Sequence, residues 1–166
     1  MLAMSDPISE AHRQWVAHGW ADAADGMALV TSVVRVHQLL MERIDAVLRP
    51  LDLSFARYEV LRLLSFTRDG ALPMTRLGSL LQVHPTSVTS AVDRLEKQGY
   101  VARSRSAPDR RIVLASITDA GRDIVDRATV GLNEEIFSRP GVEGEQVLAL
   151  TGQLTALRAA AGDLIG

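Results

Sequence analysis

No cysteine occurs anywhere in the chain. That excludes disulfides, thiolate zinc sites and cysteine-based redox sensing. Aromatic residues make up only 4% of the sequence, against 47% hydrophobic residues overall, so the core is expected to be leucine, valine and alanine. Lysine occurs once, at Lys97. No stretch approaches the ~20 apolar residues of a membrane-spanning helix. The chain starts without a basic-then-apolar signal pattern, and the cytoplasm is the expected location. There is no GxSxG, no HExxH and no phosphate-binding P-loop. The four histidines (His12, His18, His37, His84) are scattered. Neither an enzyme nor a metal or cofactor site is expected.

What is present is a strongly punctuated segment from Pro73 to Thr118. Met74 to Leu81 has Leu77, Leu80 and Leu81 on one helical face. Pro85 then sits where proline is best tolerated, at the first position of a new helix. That helix runs to Gln98 with Val88, Ala91, Val92 and Leu95 spaced for one buried face, and Gly99 ends it as a left-handed cap. Two helices joined by so short a turn predict a helix-turn-helix. Tyr100 to Arg105 and Arg111 to Ile117 read as the two strands of a hairpin with Ser106 to Arg110 at its tip. The segment is therefore expected to be a winged helix-turn-helix.

With Val88, Ala91, Val92 and Leu95 assigned to the core, Thr86, Ser87, Thr89, Ser90 and Arg94 point outward. Short hydroxyl side chains and an arginine suit the floor of a DNA major groove. A plain solvated face is the alternative for this helix taken alone, and the basic wing beside it tips the balance. Thr75 and Arg76 at the head of the preceding helix, and His84 and Pro85 at the turn, complete the candidate surface with Asp109, Arg110 and Arg111 on the wing. Charge follows the same division. The chain carries −2 overall, yet residues 71–118 hold seven basic against three acidic side chains, a net of +4. That concentration is the footprint of a phosphate-facing surface.

Leu51 to Gly121 resembles the MarR family of bacterial transcription regulators. The likeness rests on YEVLRLL (Tyr58–Leu64), on VHPTSVTSAVDRLEKQGYV (Val83–Val101) and on DRRIVLASITDAG (Asp109–Gly121), where Ile117 stands for the family's usual leucine. The resemblance implies a dimer of winged helices on double-stranded DNA, often released by a small anionic or phenolic ligand. It also implies that Asp109 pairs with Arg111 and holds it for the minor groove, leaving Arg110 as a phosphate contact.

The flanks predict helices. Ser5 or Asp6 is a candidate cap for a short helix reaching Trp15 to Trp20, with Trp15 and Trp20 badly spaced to share one face. Ala21 to Leu48 carries a broad apolar stripe and ends at Arg49-Pro50. Ser54 caps the next helix, whose apolar positions are Phe55, Tyr58, Val60, Leu61, Leu64 and Phe66. Ala71 to Pro73 is expected to pair with the wing. Thr118 caps a helix from Asp119 to about Phe137, and a last helix from Gly144 to about Leu164 is expected to bury Val147, Leu150, Leu154, Leu157, Ala160 and Ala161. The expected architecture is mainly α with a small β wing: residues 1–48 as N-terminal arm and dimerisation helix, 49–118 as DNA-binding lobe, 119–166 as C-terminal dimerisation helices. Isolated, the outer helices would leave apolar stripes in water, so a homodimer is expected. A sequence-specific regulator, a repressor with a pseudo-palindromic operator, follows. The competing reading is a helical homodimeric scaffold that binds protein and no DNA, which accounts for the arms but not for the basic wing. A small-molecule effector, anionic or aromatic, is expected between the helical arms and the lobe, bordered by Trp20, His37, Met41, Phe55, Arg57, Tyr58 and Phe66.

Overall fold

A computed structural model describes residues 6–81 and 85–163. They form two compact units, Met1–Asp45 and Ala46–Gly166.

In the first unit, α1 (Pro7–Ala17) starts at Asp6, whose carboxylate accepts from the backbone N–H groups of Ile8 and Ser9 at 3.3 and 3.1 Å. These bonds, led by one from the Ser9 hydroxyl, hold the Asp6 carboxyl below its ordinary value. The alternative cap, Ser5, lies outside the described residues. Gly19 then turns the chain at φ 86°, and α2 (Ala21–Leu48) begins. That turn overrides the helical spacing of the tryptophans: Trp15 and Trp20 meet edge to face with centroids 5.4 Å apart. His12 Nε2 lies 2.8 Å from Asp25 Oδ1 and ties α1 to α2.

The second unit opens where α2 runs into a 3₁₀ turn at Arg49–Leu51, as the Arg49-Pro50 pair requires. Ser54 caps α3 (Phe55–Phe66), its Oγ accepting from the Arg57 N–H at 3.3 Å. Then follow β1 (Ala71–Pro73), α4 (Met74–Leu81), α5 (Pro85–Lys97), β2 (Val101–Arg105) and β3 (Val113–Ile117). The three strands form an antiparallel sheet in the order β1-β3-β2, with Leu72 opposite Ala115 and Arg103 opposite Ala115 on the other side. β1 thus pairs with the returning wing strand, as its position predicted. α3 packs against α4, α5, the sheet and α6 (Asp119–Leu132). Val60, Leu61, Leu64, Leu77, Val92, Leu95, Ala115, Val125 and Leu132 are all buried between them. The core is aliphatic, with Tyr58 as its one buried aromatic among the described residues.

Two expectations are corrected, and the last helix is seen here without the second copy that was expected to cover it. Phe66 is 75% exposed rather than core; it is the last residue of α3, at the open edge of a groove shared with α6. The helix after Thr118 changes character before its end: Asn133–Phe137 forms a π-helical turn. α7 (Glu145–Ala160) buries none of its side chains. Leu150, Leu154 and Leu157 are 50%, 47% and 44% exposed, so nothing among the described residues covers their apolar side.

Candidate nucleic-acid interface

The outer face of α5 is built by subtraction. Val88, Val92 and Leu95 are fully or almost fully buried and Ala91 nearly so, which turns Thr86, Ser87, Thr89, Ser90 and Arg94 to the exposed side. Pro85 opens the helix, and His84 lies outside the described residues. At the other end Gly99 takes φ 78°, while the Gly99 and Tyr100 N–H groups donate back to the carbonyls of Glu96 and Leu95 at 3.0 and 2.9 Å. That closure fixes where the helix stops and the wing begins. On α4, Thr75 and Arg76 are exposed beside buried Leu77.

Alongside α5 runs an open cleft of about 600 Å³, lined on one side by Ser54, Ala56 and Arg57 and on the other by Thr86, Ser87, Ser90 and Arg94. Ser54 and Arg57 belong to the first turn of α3, so a helix N-terminus and two arginines border the same groove. Arg57 is held rigidly. Its Nη1 donates to the Asp52 carbonyl at 2.7 Å and to Gln98 Oε1 at 2.8 Å, and its Nε to Ser54 Oγ at 3.3 Å. Arg57, expected at the border of an effector pocket, lines this cleft. The periodicity of α3 showed that it is polar between apolar neighbours, not which side it faces.

The wing is braced from α5. Arg103 on β2 pairs with Asp93 and, at 2.9 Å, with Glu96, whose other oxygen accepts the Arg103 backbone N–H. Both acidic side chains of α5 are thereby neutralised from within. At the tip, Ser106 N–H donates to Ile112 C=O at 2.9 Å and Arg105 Nη1 to Arg110 C=O at 2.8 Å. Asp109 Oδ1 accepts the Arg111 N–H at 3.0 Å and lies 3.6 Å from its Nε. The Arg111 side chain is 94% exposed, so it projects from a loop whose backbone is pinned. Sequence reasoning missed Ser54, Asp52, Gln98 and Arg103 here. Only the N-cap role of Ser54 had a local signal.

The residues grouped as an effector pocket are divided between the two units. Trp20, His37 and Met41 belong to the first unit, His37 and Trp20 being exposed there. In the second unit, Phe55 and Tyr58 stack at 6.0 Å and line a groove with Glu59, Arg62, Leu80 and Phe137. Burial in that groove pushes the Glu59 carboxyl above its ordinary value. On the adjoining side Tyr58, Arg62 and Phe66 line a second groove with Thr129 of α6. Arg62 joins the two. Its Nη2 donates to Val125 C=O and Asp126 Oδ1, each at 3.0 Å, and to Thr129 Oγ1, and its guanidinium stands 5.4 Å from the Phe66 ring centre. Its buried Nε has no acceptor among the described residues. The spacing 58, 62, 66 placed Arg62 between two aromatics on one face of α3 and could have revealed it. Among the described residues no three His, Asp or Glu side chains converge as metal ligands, and no helix is long and apolar enough to cross a membrane.

Comparison with known proteins follows the same boundaries. Residues 53–113 match the model of the MarR family. An HTH-type transcriptional regulator of Bacillus subtilis (strain 168), YhbI, is 32% identical over 121 residues, 73% of each chain. The crystal structure of Sco5413, a MarR family transcriptional regulator from Streptomyces coelicolor, matches with a TM-score of 0.76 at 43% identity, covering 86% of this chain and 99% of that one. Sco3205, another MarR family regulator from Streptomyces coelicolor and solved in complex with DNA, matches with a TM-score of 0.72 at 26% identity over 83% of this chain and 88% of its own.

Proposed function

This chain belongs to the MarR family of transcriptional regulators, and from that premise we propose that it binds a pseudo-palindromic operator as a homodimer and represses the adjacent promoter. It is a regulator rather than an enzyme, as members of the family are. The observation that carries the reading is the outer face of α5, where the exposed hydroxyl side chains of residues 86–90 stand beside Arg94 and across a cleft from Arg57. Thr86, Ser87, Thr89 and Ser90 approach base edges in the major groove, with Pro85 at the mouth of the helix. Arg57 and Arg94 take backbone phosphates on either side of the cleft, and Thr75 and Arg76 extend the phosphate track along α4. On the wing, Asp109 orients Arg111 for the minor groove and Arg110 meets the backbone.

In this reading residues 49–118 are the DNA-binding lobe, and 1–48 with 119–166 form the dimerisation region, the whole working in the cytoplasm. The rival scaffold reading leaves the internal neutralisation of Asp93 and Glu96 without a purpose, whereas a phosphate-facing helix requires it. The grooves flanking Arg62 suit a small aromatic anion, which would rest on the exposed Phe66 ring beside the Arg62 guanidinium. Selection of duplexes from a random pool by the purified protein tests the core of this proposal. Enrichment of two inverted half-sites about one helical turn apart is expected, and Arg111→Ala should weaken that operator by about 1–3 kcal/mol. A pool that stays random after selection would overturn it.

A further inference from the structure

Asp52 carries a feature that the fold alone does not need. It occupies the left-handed region at φ 50°, ψ 42°, just after the 3₁₀ turn. Its backbone carbonyl already ties three elements together, accepting from Arg57 Nη1 at 2.7 Å and from Gln98 Nε2 at 2.9 Å. The carboxylate does something different. It reaches the rim of the cleft, with Oδ2 3.6 Å from Arg94 Nη2 and 3.1 Å from Gln98 Nε2, and Oδ1 4.0 Å from Arg57 Nη2. The arginine distances exceed the ~2.7–2.9 Å of a charge-assisted hydrogen bond. The Asp52 side chain is 67% exposed and that of Arg94 57%, so this is a loose, solvated counter-charge and not a structural clamp.

We propose that Asp52 is a tethered stand-in for a DNA phosphate, which neutralises Arg94 in the free protein and must surrender it when the backbone docks. The proposal rests on the reading of Arg94 as a phosphate contact. Two guanidinium groups facing one groove repel each other, and the carboxylate offsets that repulsion while no DNA is present. On docking, Arg94 exchanges one anion for another. The displaced Asp52 carboxylate, left beside the phosphate, takes up a cation from solution. Fewer counterions are then released per phosphate contact than Arg94 alone would release, and affinity and salt dependence both fall. Asp52 is thus a positioning residue that sets how strongly this protein holds any DNA backbone.

The test uses Asp52→Asn in the full chain. Asparagine keeps an oxygen for the Gln98 amide and tolerates the left-handed backbone, so the charge is removed and the turn kept. Asp52→Gly, which suits the same backbone without a side chain, serves as the second variant. Fluorescence anisotropy with a labelled random duplex across a salt series is the measurement. Expected is about two- to fivefold tighter binding per subunit at low salt, the worth of an exposed ion pair. The slope of log K against log salt should become more negative by up to about 0.9 per subunit. Both changes should vanish in an Arg94→Ala background. Tightening of equal size in that background would show a diffuse charge effect and overturn the proposal, as would unchanged or weaker binding in both Asp52 variants. If Arg94→Ala alone leaves affinity unchanged, it is the phosphate assignment of Arg94 that fails.

Discussion

Gly121 shows how one residue can hold α6 in register with the wing strands. It lies in the first turn of α6, buried. A Cβ there would press on the Tyr100 carbonyl oxygen and come within 2.8 Å of Ile117 Cγ1. The same carbonyl accepts the Thr118 N–H at 3.0 Å, while Thr118 Oγ1 donates to Gly99 C=O at 2.7 Å and accepts the Gly121 N–H at 3.0 Å. A methyl group therefore has backbone and not a flexible side chain to displace. Gly121→Ala should destabilise the protein by about 1–3 kcal/mol in urea unfolding, and an unchanged midpoint would show that α6 shifts freely. Glu59 makes the opposite prediction. Its carboxyl is raised by burial, so the folded state disfavours the ionised form. The resulting penalty is absent below the unfolded pKa, grows as pH rises from there to the raised folded value, and is constant above it. Glu59→Gln should raise the melting temperature at pH 7, with the gain fading towards about pH 4; a gain that does not vary with pH would count against this cause.

At the scale of elements, the wing and α5 behave as one piece because Arg103 joins them. Its side chain is 25% exposed and faces two carboxylates that are about half exposed, so its contribution to stability is modest, about 0.5–1 kcal/mol. Its effect on binding should be larger than that figure suggests. Without the guanidinium, Asp93 and Glu96 remain as uncompensated charges on the helix proposed to face phosphates. Arg103→Ala should thus weaken DNA binding more at low salt than at high salt, whereas a loss independent of salt would point to a purely steric role. The periodicity of α5 made its two faces readable from the sequence, since burial and exposure follow from 3.6 residues per turn. The brace was not readable: Arg103 lies seven and ten positions from its partners, across a cap and onto a strand, where no local period connects them.

At the scale of the molecule, the exposed leucines of α7 are the outstanding feature. Leu150, Leu154 and Leu157 recur on one side, and Leu148 is 76% exposed. In the first unit Leu29, Val30, Val34, Val36 and Leu39 of α2 are likewise exposed. Apolar faces of this extent are covered in stable proteins, and a second copy of the chain is the proposed cover. Light scattering at micromolar concentration should return twice the chain mass. Leu154→Glu should shift the equilibrium towards monomer by at least tenfold, as loss of about 1.5–3 kcal/mol of buried leucine implies. A monomeric wild type would remove the palindrome from the proposed mechanism.

The chain's own pattern determined its elements: the aliphatic core, the caps at Asp6, Ser54 and Thr118, the stop at Gly99, and the polar face of α5. Each of these depends on neighbours within one or two turns, whose geometry is set by the helix or strand period. Tertiary structure decided the partners. It brought Trp20 back onto Trp15 around Gly19, turned Arg57 into the cleft beside Arg94, set the Asp52 carboxylate at its rim, and left Phe66 and the α7 leucines uncovered within a single chain. A side chain's partner depends on how far apart two elements lie and how they are turned, and those distances are fixed by packing the whole core at once, which no local repeat encodes.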